Sequence, residues 1–148
     1  MAGATIDVAG DEHGSRALKG FVGDIETLTV GNDDFRRVLY TGKHLQLVLM
    51  TLKAGEEIGA EVHDGHDQFF RFEEGEGEIH IDGAVTPVKA DDAAIVPAGA
   101  RHNVVNTGSG ALKLYTLYAP PEHRDGVVRA TRAEAEAREE SFDGVTTE

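Results

Sequence analysis

Short runs of alternating polar and apolar residues, separated by turn-forming residues, dominate the central part of the chain. Ile79 and Ile81, for example, alternate with polar neighbours, which is the period of a strand with one buried face. Asp82 and Gly83 follow directly and form a hairpin signal. Many short strands at close spacing predict an all-β sandwich or barrel rather than a parallel α/β sheet. The candidate strands cover residues 26–30, 35–40, 44–52, 58–63, 67–73, 76–82, 84–89, 93–97, 101–106 and 111–118.

The character of the sequence changes at both ends of this central region. The first residues are polar and glycine-rich, which is typical of a loosely ordered terminus. Near the C-terminus, residues 131–140 favour a helix, with Thr131 as N-cap and Glu134 at the capping-box position. Since this helix has almost no apolar face, we expect it at the surface. The chain length favours one domain, divided into a loosely ordered segment 1–20, a barrel 21–122, and a C-terminal surface helix and tail 123–148.

Composition excludes several classes of function. The 148 residues include no cysteine, so any metal must be held by histidine, carboxylate or amide oxygen. The 27 acidic and 14 basic residues give a net charge of −13, and such a surface repels phosphate backbones. No apolar run approaches the roughly 20 residues of a membrane span, and the first residues lack the pattern of a signal peptide. We therefore expect a cytoplasmic protein that contacts neither nucleic acid nor membrane.

Four polar residues on the candidate strands form a candidate metal site. Glu61 and His63 are two residues apart, so on a strand they face the same side. Gln68 lies on the next candidate strand, and His102 opens a later one. Neighbouring strands of a barrel would bring these side chains together, and imidazole nitrogen with carboxylate and amide oxygen is a ligand set that divalent cations take. We predict that Glu61, His63, Gln68 and His102 bind one metal ion.

Two further histidines are alternatives for roles at this site. His66 is an alternative ligand to Gln68, but it directly follows Gly65, where the chain is expected to turn. His44 shares a candidate strand face with Gln46, so it is a candidate for a proton-transfer group lining the cavity. The alternative for His44 is an exposed or hydrogen-bonded strand histidine. Glu61 is the other candidate catalytic base.

The same residues occur at the spacing of two known motifs, and the chain resembles the cupin family. The first motif is represented by Gly55, Glu61, His63, Gln68 and Gly75, and the second by Pro97, Gly99, His102 and Asn106. The resemblance implies a cupin jelly-roll (double-stranded β-helix) barrel, followed here by a short C-terminal helix. It also implies a bound divalent metal, a structural hydrogen-bonding role for Asn106 and a homodimer.

At three positions the chain departs from the family pattern. Glu61 stands where the family has its first histidine, and Gln68 stands where it has glutamate. Both residues still offer an oxygen ligand, and the site keeps one carboxylate, now beside two imidazoles. Asp91 replaces the leading glycine of the second motif.

Longer stretches, such as DQFFRFEEGEGE and VPAGARHNVVNTG, resemble small single-domain cupins called mannose-6-phosphate isomerase-like. The resemblance implies a metal-dependent enzyme, similar to a sugar isomerase or epimerase, that binds a small oxygenated molecule in its barrel. The alternatives are a metal-dependent dioxygenase and a non-catalytic module that binds a small molecule or a metal. The ligand set is compatible with Mn, Fe, Zn, Ni or Cu. Because Arg101 is the one obvious cation near the site, a neutral or weakly anionic ligand fits better than a phosphosugar.

Overall fold

The computed structural model describes residues 19–148 of the chain. The predicted loosely ordered segment 1–20 therefore lies outside the described residues, except at residues 19 and 20. In chain order the elements are α1 (Ile25–Val30), β1 (Arg36–Thr41), β2 (Gln46–Leu52), β3 (Glu61–Val62), β4 (Asp67–Glu74), β5 (Glu76–Ile81), β6 (Ala84–Lys89), β7 (Ala93–Val96), β8 (Arg101–Asn106), β9 (Leu112–Ala119), β10 (Val128–Arg129) and α2 (Arg132–Ala137).

The strands form two antiparallel sheets. One sheet has six strands in the order β10-β1-β2-β9-β4-β7, and the other has four in the order β3-β8-β5-β6. Neighbours such as β9 and β4 are far apart in sequence, as expected for a jelly roll, in which the chain crosses between sheets. The predicted all-β jelly-roll fold with a short C-terminal helix is confirmed. Across residues 19–148 the two sheets form a sandwich and are not joined into a closed barrel.

The hydrophobic core lies between the two sheets. On β4, Phe70 and Phe72 are almost completely buried, and Gln68 lies on the same face. Full burial of a large apolar side chain stabilises a fold by roughly 1.5–3 kcal/mol. The two phenylalanines therefore hold β4 in one register and keep Gln68 directed inward. Other buried members of the core are Val48, Met50, Leu52, Ile79, Val88, Val104, Leu112 and Leu114.

The predicted strand at residues 26–30 is wrong, because this segment forms helix α1. Its β-branched residues favour a strand, but Asp24 caps the helix by accepting a hydrogen bond of 3.1 Å from the Thr27 N–H. The Thr29 hydroxyl donates to the Ile25 carbonyl oxygen and is buried. The helix packs on strands β4 and β9 of the larger sheet. A local cap and tertiary packing thus outweigh strand propensity.

The other predicted strands agree with the structure to within two residues at each boundary, except β3, which is limited to Glu61–Val62 instead of 58–63. Strand β2 begins at Gln46 instead of residue 44. The C-terminal helix begins where expected, since the Thr131 hydroxyl accepts from the Glu134 N–H at 3.1 Å. It ends at Ala137, and Ala135 packs into the core. In the part of the chain described, no helix is long and apolar enough to cross a membrane.

Gly75, between β4 and β5, occupies a position that only glycine fits. Its φ is +95°, and a Cβ added there would lie 2.3 Å from the Ala111 carbonyl oxygen. Gly83, in the hairpin between β5 and β6, has a similar φ of +89°, but a Cβ there would meet nothing within 4 Å. An alanine would be strained at both positions, but only at Gly75 would it also overlap with neighbouring atoms. Comparison of the two positions therefore distinguishes the cost of backbone strain from the cost of steric overlap.

We predict that Gly75→Ala destabilises the protein much more than Gly83→Ala. Both variants place alanine in the left-handed region, which costs about 1–2 kcal/mol. Only Gly75→Ala also forces β9 away from β4, so its loss of unfolding free energy should be at least about twice as large. Urea unfolding of both variants measures the difference. Equal losses would show that β9 does not press on Gly75.

Candidate metal centre

Three predicted ligands converge where the two sheets approach each other. Glu61 and His102 are cross-strand partners in the β3–β8 pair, and His63 follows β3 directly. The Glu61 Oε1 atom lies 3.2 Å from His63 Nε2 and 4.0 Å from His102 Nε2. One potential ligand atom from each residue lies within 4.8 Å of the other two. We call Glu61, His63 and His102 the Glu-His-His group.

Gln68 reaches this group from the opposite sheet. Its side chain is 3% exposed, and its Oε1 atom lies 3.1 Å from His102 Nε2. The Gln68 amide nitrogen donates to Thr116 Oγ1 at 2.9 Å, while the Thr116 hydroxyl donates to the Phe69 carbonyl oxygen at 2.8 Å. Since the Thr116 proton is committed to Phe69, its oxygen accepts the amide hydrogen. This bond turns the carbonyl oxygen of Gln68 toward the Glu-His-His group.

His102 lies between two oxygens that accept hydrogen bonds. Its Nδ1 atom lies 3.2 Å from the Ala100 carbonyl oxygen, and its Nε2 atom lies 3.1 Å from Gln68 Oε1. The tautomer with its hydrogen on Nδ1 donates to Ala100 and leaves the Nε2 lone pair for a metal ion. In that tautomer, Nε2 and the oxygens of Gln68 and Glu61 form a donor set that fits a divalent metal. The assignment of the four ligands stays a prediction.

The two charged partners of the group shift each other's protonation. Burial acts to raise the pKa of Glu61, but the hydrogen bond from His63 and the charges of Arg36 and His102 lower it overall. The hydrogen bond to Glu61 raises the pKa of His63, against the effect of burial, and the charge of Glu122 adds to the rise. Glu61 is therefore a carboxylate at neutral pH, with His63 as its nearest proton donor.

An outer cluster of Glu122, His66 and Tyr118 surrounds His63. Glu122 Oε1 lies 3.7 Å from His63 Nδ1 and 3.1 Å from His66 Nε2, and His66 Nδ1 lies 2.6 Å from the Pro120 carbonyl oxygen. His66 thus contacts Glu122 and the backbone and lies outside the Glu-His-His group. The ring of Tyr118 stands edge-on to His63 at 5.9 Å, and burial raises the pKa of its phenol.

His44 does not occupy the predicted place. It lies in the exposed turn between β1 and β2, two residues before the strand begins, so it does not share the inward face of Gln46. Gln46 itself is buried and accepts hydrogen bonds from the N–H groups of Glu122 and His123. The sequence offered no turn signal strong enough to separate residue 44 from the strand that follows.

Sequence reasoning missed four residues around the site: Arg36, Thr116, Tyr118 and Glu122. Thr116 and Tyr118 lie at alternating buried positions of the predicted strand 111–118, so strand periodicity was the available signal. Glu122 lies in an irregular segment and gave no periodic signal. Arg36 adjoins Arg37 in the sequence, and only the fold shows which of the two points inward.

A cavity of about 470 Å³ adjoins the Glu-His-His group. Its walls come from β1, the segment 58–61, residues 122–123 and the C-terminal region 132–141. Glu61 is the member of the group that lines it. A second cavity, of about 250 Å³, lies beside His102 and is bordered by His80 and Arg101. Arg101, the cation expected near the site, therefore faces a different cavity from Glu61.

Known proteins share both sequence and fold with the chain. The sequence model of the cupin domain family matches residues 48–118, which include all four candidate ligands. The uncharacterized protein YrkC of Bacillus subtilis (strain 168) is 46% identical over 128 residues, which cover 82% of this chain and 69% of YrkC. The crystal structure of BH2720 from Bacillus halodurans is 45% identical and superposes with a TM-score of 0.80, covering 82% of this chain and 97% of that one. An oxalate-binding protein of Thermotoga maritima is 33% identical over 68 residues, 46% of this chain and 56% of that protein.

We predict that the Glu61–His63 pair stabilises the metal-free protein within a limited pH window. The pKa of His63 is raised in the folded protein. Its contribution to the free energy of unfolding is therefore fully present below about pH 6.5 and is lost as the pH rises through the raised pKa. The pKa of Glu61 is lowered in the folded protein. Its contribution to the free energy of unfolding is therefore present above about pH 4.5 and is lost as the pH falls through the lowered pKa.

Urea unfolding in the presence of a chelator tests this window. The stability difference between the wild type and Glu61→Gln should be larger at pH 5.5 than at pH 8.5, because His63 loses its charge as the pH rises through its raised pKa. A difference that does not change with pH would contradict the pairing. Glu78→Gln is the matched control, since Glu78 forms the same contact of 3.2 Å with a histidine two residues away, His80, in a more exposed place.

Proposed function

Because the chain belongs to the cupin superfamily, we propose that it binds one divalent metal ion through Glu61, His63, Gln68 and His102 and acts on a small oxygenated substrate held beside that ion. The observation that carries this proposal is the convergence of potential ligand atoms from both sheets, with Glu61, His63 and His102 within 4.8 Å of one another and the Gln68 oxygen 3.1 Å from His102. The nitrogen and oxygen ligands suit Mn, Fe, Zn, Ni or Cu.

The residues around the group support a ligand role more than a catalytic role for Glu61. A divalent ion bound here would polarise a substrate oxygen through a free coordination position. The lowered pKa of Glu61 makes its carboxylate a weak general base but an available anionic ligand. Thr116 and Ala100 orient Gln68 and His102, so the site is prepared before any ion enters.

For the reaction, we propose isomerisation or epimerisation of the substrate, in line with the resemblance to mannose-6-phosphate isomerase-like cupins. The cavity beside Glu61 gives such a substrate a place next to the metal. Binding without turnover is the second candidate, and the name of the Thermotoga relative, an oxalate-binding protein, favours it. A turnover screen of the metal-loaded protein, with and without oxygen, separates an isomerase, a dioxygenase and a binding module.

Ligand substitutions test the metal site. We expect about one ion per chain in protein made in metal-replete medium, measured by elemental mass spectrometry. His63→Ala and His102→Ala should each weaken binding by more than the roughly 10–100-fold that is typical of losing an outer contact. His66→Ala is the matched control and should bind normally, because His66 contacts Glu122 and Pro120 instead. Normal binding by both ligand variants would refute the site.

Two substitutions test the role of Gln68. Thr116→Val keeps the shape of the side chain but removes the acceptor that orients the amide, so metal affinity should fall about tenfold. Gln68→Glu adds a negative charge beside the ion, so affinity should rise. Titration of the metal-free variants with Mn²⁺ or Zn²⁺ measures both effects. Weaker binding by Gln68→Glu would mean that Gln68 is not a ligand and that the shell is the Glu-His-His group alone or includes His66.

We also propose that the protein is a cytoplasmic homodimer. Val85 on β6 and Ile95 on β7 are exposed apolar side chains, and both strands lie at sheet edges. Exposed edge strands with apolar side chains favour association with a second chain. Sedimentation of the wild type and of Val85→Lys/Ile95→Lys would show a dimer and a monomer, respectively. A monomeric wild type would refute this proposal.

A further inference from the structure

Arg36 is a buried cation that has no partner within the described part of the chain. It lies at the start of β1 with 9% of its surface exposed, and its side chain points into the fold. Its Nε atom is buried without an acceptor. Over residues 19–148, its guanidinium makes no hydrogen bond or ion pair and lies over the ring of Phe35, 5.5 Å from the centroid. An unpaired buried charge destabilises a fold, so a partner is expected from outside residues 19–148.

The carboxylates nearest to Arg36 are engaged with other cations. Its charge acts on Glu61 and Glu140, but neither carboxylate forms an ion pair with it. Glu61 contacts His63 at 3.2 Å. Glu140 contacts His123 at 3.0 Å and Arg129 at 2.9 Å. The fold therefore satisfies these acids elsewhere and leaves the guanidinium of Arg36 facing the cavity.

Arg36 and Glu61 line the same cavity of about 470 Å³. This volume is in the range of small-molecule sites. The other arginine in its wall, Arg132, is already paired with Glu136 at 3.0 Å. A molecule in the cavity thus meets one unpaired cation on β1 and the edge of the candidate metal centre at Glu61.

We propose that Arg36 binds the carboxylate of a small hydroxy- or keto-carboxylic acid, whose second oxygen points toward Glu61 and the metal centre. This inference rests on the proposed function and narrows its substrate class. A guanidinium presents parallel N–H donors that match the two oxygens of a carboxylate.

The charge of the cavity wall selects among anions. Five glutamates and two arginines line it, so the wall repels a phosphate dianion more strongly than a monocarboxylate. A sugar acid or a shorter hydroxy acid therefore fits better than a sugar phosphate.

A comparison of acids with their amides tests the proposal. Calorimetric titrations of Mn²⁺-reconstituted and metal-free protein use pyruvate and lactate against pyruvamide and lactamide, which have the same shape without the charge. We expect each acid to bind at least about tenfold more tightly than its amide, and more tightly than inorganic phosphate. Arg36→Met should abolish this preference, and Arg36→Lys should reduce it. Arg132→Met, the matched control in the same cavity, should retain it.

A stability measurement separates recognition from a structural role. Without ligand, Arg36→Met should have a melting temperature at least equal to that of the wild type, because it removes an unpaired buried charge. A marked fall in the melting temperature would show that Arg36 stabilises the fold and would overturn the proposal. The comparison of acid and amide on the wild type needs no variant, so the proposal can be tested even if Arg36→Met does not fold.

The outcomes distinguish this inference from the metal proposal. Three results would overturn the role of Arg36 even if the protein binds one metal per chain. They are equal affinity for acid and amide, no binding of either acid at millimolar concentration, and an unchanged preference for the acid in Arg36→Met. Arg36-dependent binding of the acids by a protein that takes up no metal would support the role of Arg36 and refute the metal site.

Discussion

The packing of the two sheets against each other decides where every polar group of the site lies. Strand β4 is anchored by Phe70 and Phe72, which fill the space between the sheets, so Gln68 on the same face has no other direction. Glu61 and His102 come from the opposite sheet, where β3 and β8 pair. The candidate metal centre is therefore a junction between sheets, and its geometry depends on the hydrophobic core beside it.

Burial of these polar groups is tolerated because the protein provides a hydrogen-bonding partner for part of each side chain. Thr116 accepts the amide hydrogen of Gln68, and the Ala100 carbonyl oxygen lies 3.2 Å from Nδ1 of His102. The Gln68 oxygen, Nε2 of His102 and the Glu61 carboxylate are left facing one another, and a divalent cation fits this set of donors. Arg36 presents the opposite case, a buried donor group whose Nε atom has no acceptor among residues 19–148. A metal ion would complement the first set of groups, and a carboxylate in the cavity that Arg36 shares with Glu61 would complement the second.

The fold could largely be predicted from the sequence, because strand periodicity and turn residues are local signals. The strands 84–89 and 101–106 have the predicted limits, and the position of Thr131 as N-cap is confirmed. Helix α1 was missed because its β-branched residues favour a strand in isolation. Its cap at Asp24 and its packing on the larger sheet decide otherwise.

The sequence by itself determined which residues are candidate ligands, because the spacing of Glu61, His63, Gln68 and His102 is a linear property and the period of two in a strand sets their faces. Only the tertiary structure decided the surroundings of these residues. It placed His44 in an exposed turn, His66 against Glu122, and Arg36 in the cavity wall. Neighbouring residues of the same type, such as Arg36 and Arg37, are chemically equivalent along the chain. Strand pairing and sheet packing, which join distant segments, bury one and expose the other.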